Sequence, residues 1–292
     1  MLVAAFILVG ITGQMIFRQG IHPHASEDDI FMAVKDWKFP FQMQHMQSTS
    51  HVSIMKEGSG DKITLFLGDS DMQQYGSRIV KLLRGDPDSR SAIFITALGC
   101  PPIPDVREKS LQGTGELIPE FFRILKSQHG VDRIVIAANW VWYLPNPAAK
   151  YEINGHYFPS PVAIDEAYES LKKLILQLKA TGVKVYFVLN IPIDKKQDPK
   201  NEVCRSFFGV KSTKAEVLYA KEFNERYGSF LDQLGRIADK AGAEVIDPRN
   251  YLLSDGIFPR VIDGLHIYRD GWHLRDSYVR DHVKYLDRTV QP

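Results

Sequence analysis

From residue 61 onward, short apolar runs alternate with longer stretches in which apolar residues recur every three or four positions. The apolar runs predict strands buried on both faces, and the amphipathic stretches predict helices. The predicted strands cover residues 63–69, 91–98, 133–139, 184–191 and 243–247. The predicted helices cover residues 72–84, 115–129, 161–181 and 214–242. This alternation predicts a three-layer α/β/α domain over residues 61–292, flavodoxin-like in outline, with a central parallel sheet of about five strands.

The chain begins with a hydrophobic segment, since residues 2–17 carry no charge. The run is slightly short for a bilayer span and lacks the positive leader of a secretory signal. Residues 1–18 are therefore predicted to be a membrane anchor or the end of a membrane helix, with a buried helix as the alternative. Residues 19–60 are mixed and polar, which predicts a linker and an irregular lead-in. The histidines of this stretch lack metal-ligand spacing and are predicted to lie on the surface: His22, His24, His45 and His51.

Composition describes an ordinary globular chain behind this hydrophobic start. The 292 residues are 44% hydrophobic and 24% charged, with a formal net charge of +1. A chain of this size can bury an ample core without metals or disulfides. Because the charge is near neutral and no basic stripe is present, the sequence argues against nucleic acid as a partner.

The first predicted strand delivers a serine at its carboxyl end, in Gly68-Asp69-Ser70. In a parallel α/β sheet, ligands bind beyond the carboxyl ends of the strands. A helix that begins there offers free N–H groups to a developing negative charge. Ser70 is therefore a candidate nucleophile. The alternative is that Asp69 and Ser70 only cap the helix that follows.

Two further strand ends offer hydrogen-bond donors. Gly99 follows the second predicted strand, and Asn139 ends the third. A hydroxyl that attacks a carbonyl creates an oxyanion, which preorganised donors stabilise. The N–H groups of Ser70 and Gly99 and the side-chain amide of Asn139 are a candidate oxyanion hole. Turn or capping chemistry is the alternative explanation for Gly99 and Asn139.

A nucleophilic serine needs a base, and two units near the C-terminus offer one. They are Asp263-x-x-His266 and Asp270-x-x-His273. In a tight turn, this spacing lets the carboxylate reach the nearer imidazole nitrogen while the farther nitrogen faces the serine. Only one unit can serve a single serine, and the spacing alone leaves both open.

These residues carry a family resemblance over residues 61–285. Four short stretches resemble, in order, the four blocks of the SGNH (GDSL-type) hydrolase and acyltransferase superfamily. They are Gly68-Asp69-Ser70, Gly99, Asn139 and Asp270-x-x-His273. The resemblance implies the SGNH form of the α/β/α fold, with Ser70 as nucleophile, His273 as general base and Asp270 as its orienter. It also implies an oxyanion hole made by Ser70, Gly99 and Asn139. His266 is then predicted to be structural.

Three stretches are similar to the extracytoplasmic SGNH domains attached to acyltransferase-3 membrane proteins: residues 98–102, 139–140 and 267–274. Those proteins O-acetylate or otherwise O-acylate cell-surface polysaccharides. The resemblance implies a serine-dependent O-acyltransferase or esterase that acts on acyl groups, acetyl above all, of envelope polysaccharide through an acyl-serine intermediate. It implies no cofactor. The expected partners are an acyl donor, a glycan acceptor and an integral-membrane acyltransferase, in a membrane-anchored, extracytoplasmic setting in the periplasm or at the cell surface.

The sequence departs from the family's pattern beside the nucleophile and after the base. Asp71 stands where the attached domains often have His, and the residues after His273 lack the usual Ser-x-x-Gly. A carboxylate beside the serine would repel an oxyanion unless it turned outward. A catalytically impaired glycan-binding domain is therefore an alternative. A remote alternative is a magnesium-dependent phosphatase using Asp69-x-Asp71, although Gln73 stands where such enzymes normally have Thr or Val.

Three residues are predicted to contact substrate: Asp71, Trp140 and Trp272. Aromatic faces at a pocket mouth suit sugar rings, and a core position is the alternative for the tryptophans. Trp142 and Tyr143 lie in the same stretch of sequence.

The two cysteines, Cys100 and Cys204, are expected in loops at strand carboxyl ends. In an oxidising compartment a disulfide between them would close a long loop, with about 4–5 kcal/mol available in the chain-entropy model. Two unpaired thiols are the alternative. Neither cysteine has the spacing of a zinc site, so no metal is predicted.

Overall fold

The computed structural model describes residues 27–40, 42–46, 51–86, 90–108, 110–148, 150–206, 209–212 and 216–291. The predicted anchor, residues 1–18, lies outside these ranges. Among the helices within them, none combines the length and apolarity needed to cross a membrane.

The strands are short and are numbered in chain order. They are β1 (Gln44–His45), β2 (Ser53–Glu57), β3 (Ile63–Gly68), β4 (Ser91–Thr96), β5 (Val106–Glu108), β6 (Val131–Ala137), β7 (Tyr151–Ile153), β8 (His156–Tyr157), β9 (Lys184–Val188), β10 (Val203–Ser206), β11 (Gly209–Ser212), β12 (Leu218–Tyr219), β13 (Glu244–Ile246), β14 (Ile257–Phe258), β15 (Val261–Ile262) and β16 (Leu265–His266).

The α-helices are α1 (Glu27–Lys35), α2 (Ser70–Gln73), α3 (Gly76–Gly85), α4 (Leu117–Ser127), α5 (Trp140–Tyr143), α6 (Pro161–Lys179), α7 (Ala220–Phe223), α8 (Ser229–Lys240), α9 (Arg249–Leu252) and α10 (Asp276–His282). Short 3-10 turns cover Gln112–Gly115, Lys195–Gln197, Pro199–Glu202 and Asp287–Thr289, and a π turn covers Asn224–Gly228.

Seven strands form the central sheet, in the order β1-β2-β4-β3-β6-β9-β13. The five strands from β4 to β13 pair in parallel. They match the five predicted strands, so the predicted α/β/α architecture is confirmed. β2 and β1 add two antiparallel strands at one edge. Both lie in the stretch assigned to the linker and lead-in. Only Ile54 and Met55 of β2 are buried, so the sequence of this strand needs no long apolar run and gave no signal of a strand.

Helices cover both faces of this sheet. On one face α4 packs Phe121 into the core that contains Leu65. On the other, α3 and α10 pack Ile79 and Val279 into the core that contains Phe66. Successive residues of β3 therefore point into different cores. Burial on both faces is the reason that the parallel strands read as continuous apolar runs.

The last predicted helix, residues 214–242, is shorter and interrupted. β12 occupies Leu218–Tyr219, α7 begins at Ala220, and the π turn separates α7 from α8. β12 pairs with β14 about 40 positions later in the chain, at Tyr219 and Ile257. Local periodicity does not encode such a distant pairing.

Gly68 ends β3 where β6 approaches too closely for any side chain. A Cβ at this position would lie 1.9 Å from the carbonyl oxygen of Ala137 and 2.8 Å from the Cβ of Met72. Glycine therefore permits α2 to start directly over the edge of the sheet, which places Ser70 there.

Replacing Gly68 by alanine is expected to lower the free energy of unfolding by about 1–3 kcal/mol, because backbone atoms have to move. Urea unfolding measures the change. Gly85→Ala is the matched control, since no atom lies within 4 Å of a Cβ at this helical position. There the substitution should be neutral or stabilise by about 0.5–1 kcal/mol. Equal losses at both positions would contradict the close approach of β3 and β6.

Candidate active site

Ser70 is the first residue of α2, directly after the carboxyl end of β3. Its Oγ lies 3.0 Å from Nε2 of His273. The other ring nitrogen of His273, Nδ1, lies 3.0 and 3.1 Å from the two carboxylate oxygens of Asp270. The structure thus brings together a hydroxyl, an imidazole and a carboxylate in one chain of hydrogen bonds.

A tight turn holds the Asp270–His273 pair. Oδ1 of Asp270 accepts hydrogen bonds from the N–H groups of Trp272 and His273, each at 2.8 Å. The N–H of Arg269 donates to the carbonyl of His273 at 3.0 Å, which closes the turn. The carboxylate therefore fixes both the backbone and the imidazole ring.

Gln74 connects this turn to the helix that carries the serine. Its Oε1 accepts a hydrogen bond from the N–H of Leu274 at 2.9 Å, and its Nε2 donates to the carbonyl of Asp71 at 2.9 Å. Gln74 is buried. Elements about 200 residues apart in sequence are thereby joined by one side chain, which stabilises the approach of Ser70 to His273.

The other candidate donors stand at neighbouring strand ends. Gly68 pairs with Thr96 of β4 and with Ala137 of β6, so the segments carrying Ser70, Gly99 and Asn139 emerge side by side. Gly99 adopts a positive φ of 67°, and its carbonyl accepts a hydrogen bond from Tyr151 Oη at 2.5 Å. The N–H of Ser70 lies in the first turn of a helix, where N–H groups have no acceptor within the helix.

Asp69 is buried completely and joins these strand ends. Its carboxylate accepts hydrogen bonds from the N–H of Asp71 at 2.8 Å, the N–H of Asn139 at 3.1 Å and the hydroxyl of Tyr143 at 2.5 Å. Asp69 is thus the helix cap, whereas the Ser70 hydroxyl faces His273. A carboxylate buried and saturated in this way is unsuited to be the nucleophile of an Asp-x-Asp phosphatase.

Burial of Asp71 argues against its predicted contact with substrate, which stays a prediction. Its side chain is only 3% exposed, and Asp71 does not line the cleft described below. Its Oδ1 lies 3.4 Å from Nε2 of Gln74, and within the described residues its Oδ2 has no hydrogen-bond partner. Burial, reinforced by the neighbouring Asp69, raises the pKa of Asp71 well above its ordinary value. Burial also raises the pKa of Asp69, but three donors oppose the rise.

The two acids differ in their supply of hydrogen-bond donors. Asp69 has the donors that stabilise a carboxylate, whereas Asp71 has almost none, so burial favours the protonated form more strongly at Asp71. In that form Asp71 places no negative charge beside the serine. Burial, rather than an outward turn of the side chain, is what opposes the expected repulsion of an oxyanion.

In the His273–Asp270 pair, by contrast, the charged form of each group is favoured. Burial favours the neutral form of both groups, yet their mutual hydrogen bond and attraction outweigh it. The pKa of Asp270 is consequently lowered, and that of His273 is raised, the latter also by attraction to the charge that the buried Asp69–Asp71 pair carries. This arrangement suits an imidazole that takes up a proton while Asp270 stays ionised.

A cleft of about 670 Å³ opens beside Ser70 and His273. Its other lining residues come largely from the lead-in and the strand ends: Trp37, Phe39, Pro40, His45, His51, Val52, Ser53, Gln73, Thr96, Leu98, Arg269 and Asp270. The ring of Trp37 lies 5.3 Å from the His273 ring, edge to face, and the Arg269 guanidinium lies 4.8 Å from the Trp37 ring. The lead-in therefore forms a wall of the site.

Sequence reasoning missed this wall because its residues follow no helical or strand period. His45 and His51 are exposed, as predicted for surface residues, but both also line the cleft. His22 and His24 lie outside the described residues. The available signal was the density of aromatic and histidine side chains in residues 37–51.

The structure separates the tryptophans by burial. Trp140 is 0% exposed, stacks on Phe187 and donates its indole N–H to the carbonyl of Val188 at 2.9 Å. Trp140 therefore belongs to the core, which was the alternative to its predicted contact with substrate. Trp142 and Trp272 are instead 37% and 38% exposed and pack edge to face, 5.3 Å apart. This exposed pair, named here the tryptophan pair, lies beside Asn139 and His273 in sequence.

His266, from the second Asp-x-x-His unit, is buried away from Ser70. Its Nδ1 lies 3.0 Å from Asp29 and its Nε2 lies 2.5 Å from Glu202. Arg275 also binds Asp29, at 2.6 Å. This network fastens α1 to the C-terminal part of the domain, so His266 has the structural role predicted for it.

Cys100 is a buried free thiol, and burial raises its pKa to about 12. The side chain of Cys204 lies outside the described residues, so its pairing with Cys100 stays a prediction. Across the described ranges, no group of three or more His, Cys, Asp or Glu side chains is arranged to hold a metal ion.

Comparison with known proteins identifies one family. The profile of the SGNH domain (fused to AT3 domains) matches residues 41–281. No curated protein sequence matches the chain. The periplasmic domain of a lipopolysaccharide acetyltransferase from Salmonella ser. Paratyphi A is similar in structure, with a TM-score of 0.53 and 15% identity over 80% of this chain and 85% of that chain. This likeness shows a shared fold.

Two further solved structures are similar at lower scores. An acetylxylan esterase from Geobacillus stearothermophilus has a TM-score of 0.45 and 14% identity, over 80% of this chain and 96% of that chain. A GDSL-like lipase from Bacteroides thetaiotaomicron has a TM-score of 0.41 and 12% identity, over 75% and 83%.

Asp71→Asn is expected to stabilise the protein at neutral pH. Well below the ordinary pKa of 3.8, Asp71 is protonated in both folded and unfolded chains, so Asp and Asn should behave alike. As the pH rises, the unfolded chain ionises while the folded chain resists, so Asp71 lowers stability. Thermal unfolding between about pH 4 and pH 8 should show a gain for Asp71→Asn that grows with pH.

Asp69→Asn is the matched control for this prediction. An amide there replaces an accepting oxygen with a donor that faces other donors, which should destabilise by about 1–3 kcal/mol at neutral pH. If Asp71→Asn were as destabilising as Asp69→Asn, the protonated state assigned to Asp71 would be wrong.

The raised pKa of His273 predicts an acid limit to activity. Only a neutral imidazole can accept a proton, so kcat/KM for an acetyl ester should fall as the pH drops through a value above about 6.5. Asp270→Asn removes the hydrogen bond that most opposes the effect of burial on the imidazole, so the limit should move to lower pH while kcat falls by about 10³–10⁴-fold. Asp263→Asn, in the exposed turn of the other unit, should change neither. An unmoved acid limit in Asp270→Asn would contradict the assigned pair.

Proposed function

The chain belongs to the SGNH family of domains that are fused to AT3 domains, and on that premise we propose that it transfers acyl groups through Ser70. The observation that carries the proposal is the continuous hydrogen-bond chain from Ser70 Oγ through His273 to Asp270. We propose Ser70 as nucleophile, His273 as general base and Asp270 as the carboxylate that orients His273.

In the first half-reaction, Oγ of Ser70 attacks the carbonyl carbon of an acyl ester while Nε2 of His273 takes the hydroxyl proton. The carbonyl electrons move onto oxygen, which the N–H groups of Ser70 and Gly99 and the Asn139 amide stabilise. The C–O bond to the leaving alcohol then breaks as His273 returns the proton to it. An acyl-serine remains.

In the second half-reaction, a hydroxyl group attacks the acyl-serine by the same steps. A sugar hydroxyl makes the protein an O-acyltransferase, and water makes it an esterase. Throughout both halves Asp270 remains ionised and supports the imidazolium. Protonated Asp71 leaves the oxyanion without a repelling neighbour.

We propose acetyl groups of envelope polysaccharide as the substrate class. A cleft of about 670 Å³ is in the range of small-molecule sites and can accept a sugar residue. The tryptophan pair offers exposed aromatic faces of the kind that suit sugar rings. The structurally similar Salmonella domain comes from an acetyltransferase of lipopolysaccharide, which is an envelope glycan.

The family description supports an extracytoplasmic location and a membrane partner. Domains of this family are fused to AT3 domains. We propose that an integral-membrane acyltransferase supplies the acyl donor and that residues 1–18 connect the domain to the membrane.

The proposal is tested by mass spectrometry of the purified protein after incubation with p-nitrophenyl acetate. We expect an acetyl adduct on Ser70 that is lost in Ser70→Ala. Ser127→Ala is the control, because this serine ends α4, where it donates to the carbonyl of Ile124 and accepts from Nε2 of Gln128. It should form the adduct at the wild-type rate.

Adding acetyl-free oligosaccharide to the acylated protein separates the two activities. Acetylated sugar indicates a transferase, and acetate alone indicates an esterase. A protein that binds oligosaccharide without ever forming the Ser70 adduct would overturn the proposal in favour of a glycan-binding domain.

A further inference from the structure

Two asparagines stand at equivalent places on adjacent strand ends. Ala137 of β6 pairs with Val188 of β9, so Asn139 and Asn190 each lie two residues beyond this pair. Asn190 is only 1% exposed. It belongs to none of the sequence blocks that carry the SGNH resemblance, and the reaction steps above leave it unused.

The hydrogen bonds of Asn190 have only one consistent arrangement. The N–H of Val141 lies 3.2 Å from Oδ1 of Asn190, and a backbone N–H can only donate. Asn190 must therefore turn its oxygen to Val141 and its Nδ2 to Asn139. That Nδ2 lies 3.1 Å from Oδ1 of Asn139 and donates to it. The oxygen of Asn139 is thus held back, and its own Nδ2 points the other way.

The backbone of Asn139 is fixed by its neighbours, so the side-chain amide is the part of this residue whose orientation remains to be set. Its backbone N–H is bound by Asp69 at 3.1 Å. The helical turn that follows is anchored through the bond from Trp140 Nε1 to the carbonyl of Val188. Among the described residues, no group accepts a hydrogen bond from Nδ2 of Asn139. Buried Asn190 therefore determines that the oxygen of the Asn139 amide is turned toward Asn190 and its Nδ2 away from it.

We propose that Asn190 is a positioning residue that locks the Asn139 amide with its N–H directed into the oxyanion hole. Without this contact, the amide is free to present its carbonyl oxygen, which would repel the oxyanion. The inference rests on the proposed function, because it requires an oxyanion at Asn139. It adds a residue that acts through Asn139 and does not touch substrate.

Asn190→Asp is the sharpest test, because it keeps the volume and the acceptor for Val141 while removing the donor. The assay is run at alkaline pH, because an ionised aspartate can only accept, whereas a protonated one would donate to Asn139 in place of the amide. Asn139 should then reverse its amide and turn Oδ1 toward the hole. We expect kcat for p-nitrophenyl acetate to fall by about 10²–10³-fold, the range for losing an oxyanion-hole donor, with KM unchanged. Asn190→Ala, which leaves the amide free to adopt either orientation, should cost less, about tenfold.

A double-mutant cycle with Asn139→Ala separates positioning from mere support of the fold. Asn139→Ala alone should lower kcat by about 10²–10³-fold. In that background both Asn190 variants should lower kcat by no more than about twofold further, because they act through an amide that is gone. Losses of full size in that background, or no loss in the single variants, would overturn the inference. Full activity of Asn139→Ala would instead overturn the proposed oxyanion hole.

Thr64→Val controls for the loss of a buried hydrogen bond. Thr64 stands at the opposite end of β3 from Ser70 and donates to the carbonyl of Thr289 at 2.7 Å. It should lower the melting temperature without changing kcat. If Asn190→Ala does not fold, the isosteric Asn190→Asp decides the question by the same cycle.

Discussion

The buried carboxylate of Asp69 is the contact on which the site depends. It accepts hydrogen bonds from the first turn of α2, from the end of β6 and from the hydroxyl of Tyr143. A charge excluded from water must keep such donors, because losing any of them leaves it unpaired in a medium of low dielectric constant. The residue that follows Asp69 is the serine. Ser70 is therefore fixed where the first turn of α2, the end of β6 and the segment of Tyr143 meet. A helix cap without these further contacts would leave its position less well defined.

The number of hydrogen-bond donors around each carboxyl group of the site decides how strongly its ionised form is favoured. Asp69 and Asp270 each have several donors and are suited to remain ionised, whereas Asp71 has little more than a long contact to Gln74. Three carboxyl groups lie near one imidazole, yet their environments separate their proton affinities. Asp71, which departs most visibly from the family's pattern, is thus the acid at which burial most favours the protonated form. That form places no negative charge beside Ser70 and is compatible with a developing oxyanion.

The cleft shows how residues outside the catalytic blocks shape this site. Trp37 packs against His273, and β2 extends the sheet so that the lead-in covers one side of Ser70. The network around His266 holds α1 in place, although α1 is more than 200 residues from that histidine. The SGNH blocks bring the chemistry, and the lead-in sets the shape and the aromatic character of the cleft. Differences in substrate among related domains are expected to arise there.

Much of the fold and the catalytic candidates was readable in the sequence because the signals are local. Continuous apolar runs mark strands buried on both faces, and a parallel sheet brings their carboxyl ends to one edge. That reasoning located Ser70, Gly99 and Asn139. The three-residue spacing supplied two Asp–His units, and the family resemblance selected Asp270 and His273. The two antiparallel edge strands escaped it, because a strand of five residues with two buried side chains has no distinctive pattern.

The sequence by itself determined the five parallel strands of the sheet, their order along the chain and the chemical identity of the catalytic candidates. Tertiary structure alone decided which tryptophans are exposed, which acid has donors for its charge and how the Asn139 amide is oriented. These properties depend on burial and on partners that lie tens to hundreds of residues away. The burial of a side chain and the identity of its hydrogen-bond partners are determined by packing, so a local pattern of residues does not predict them.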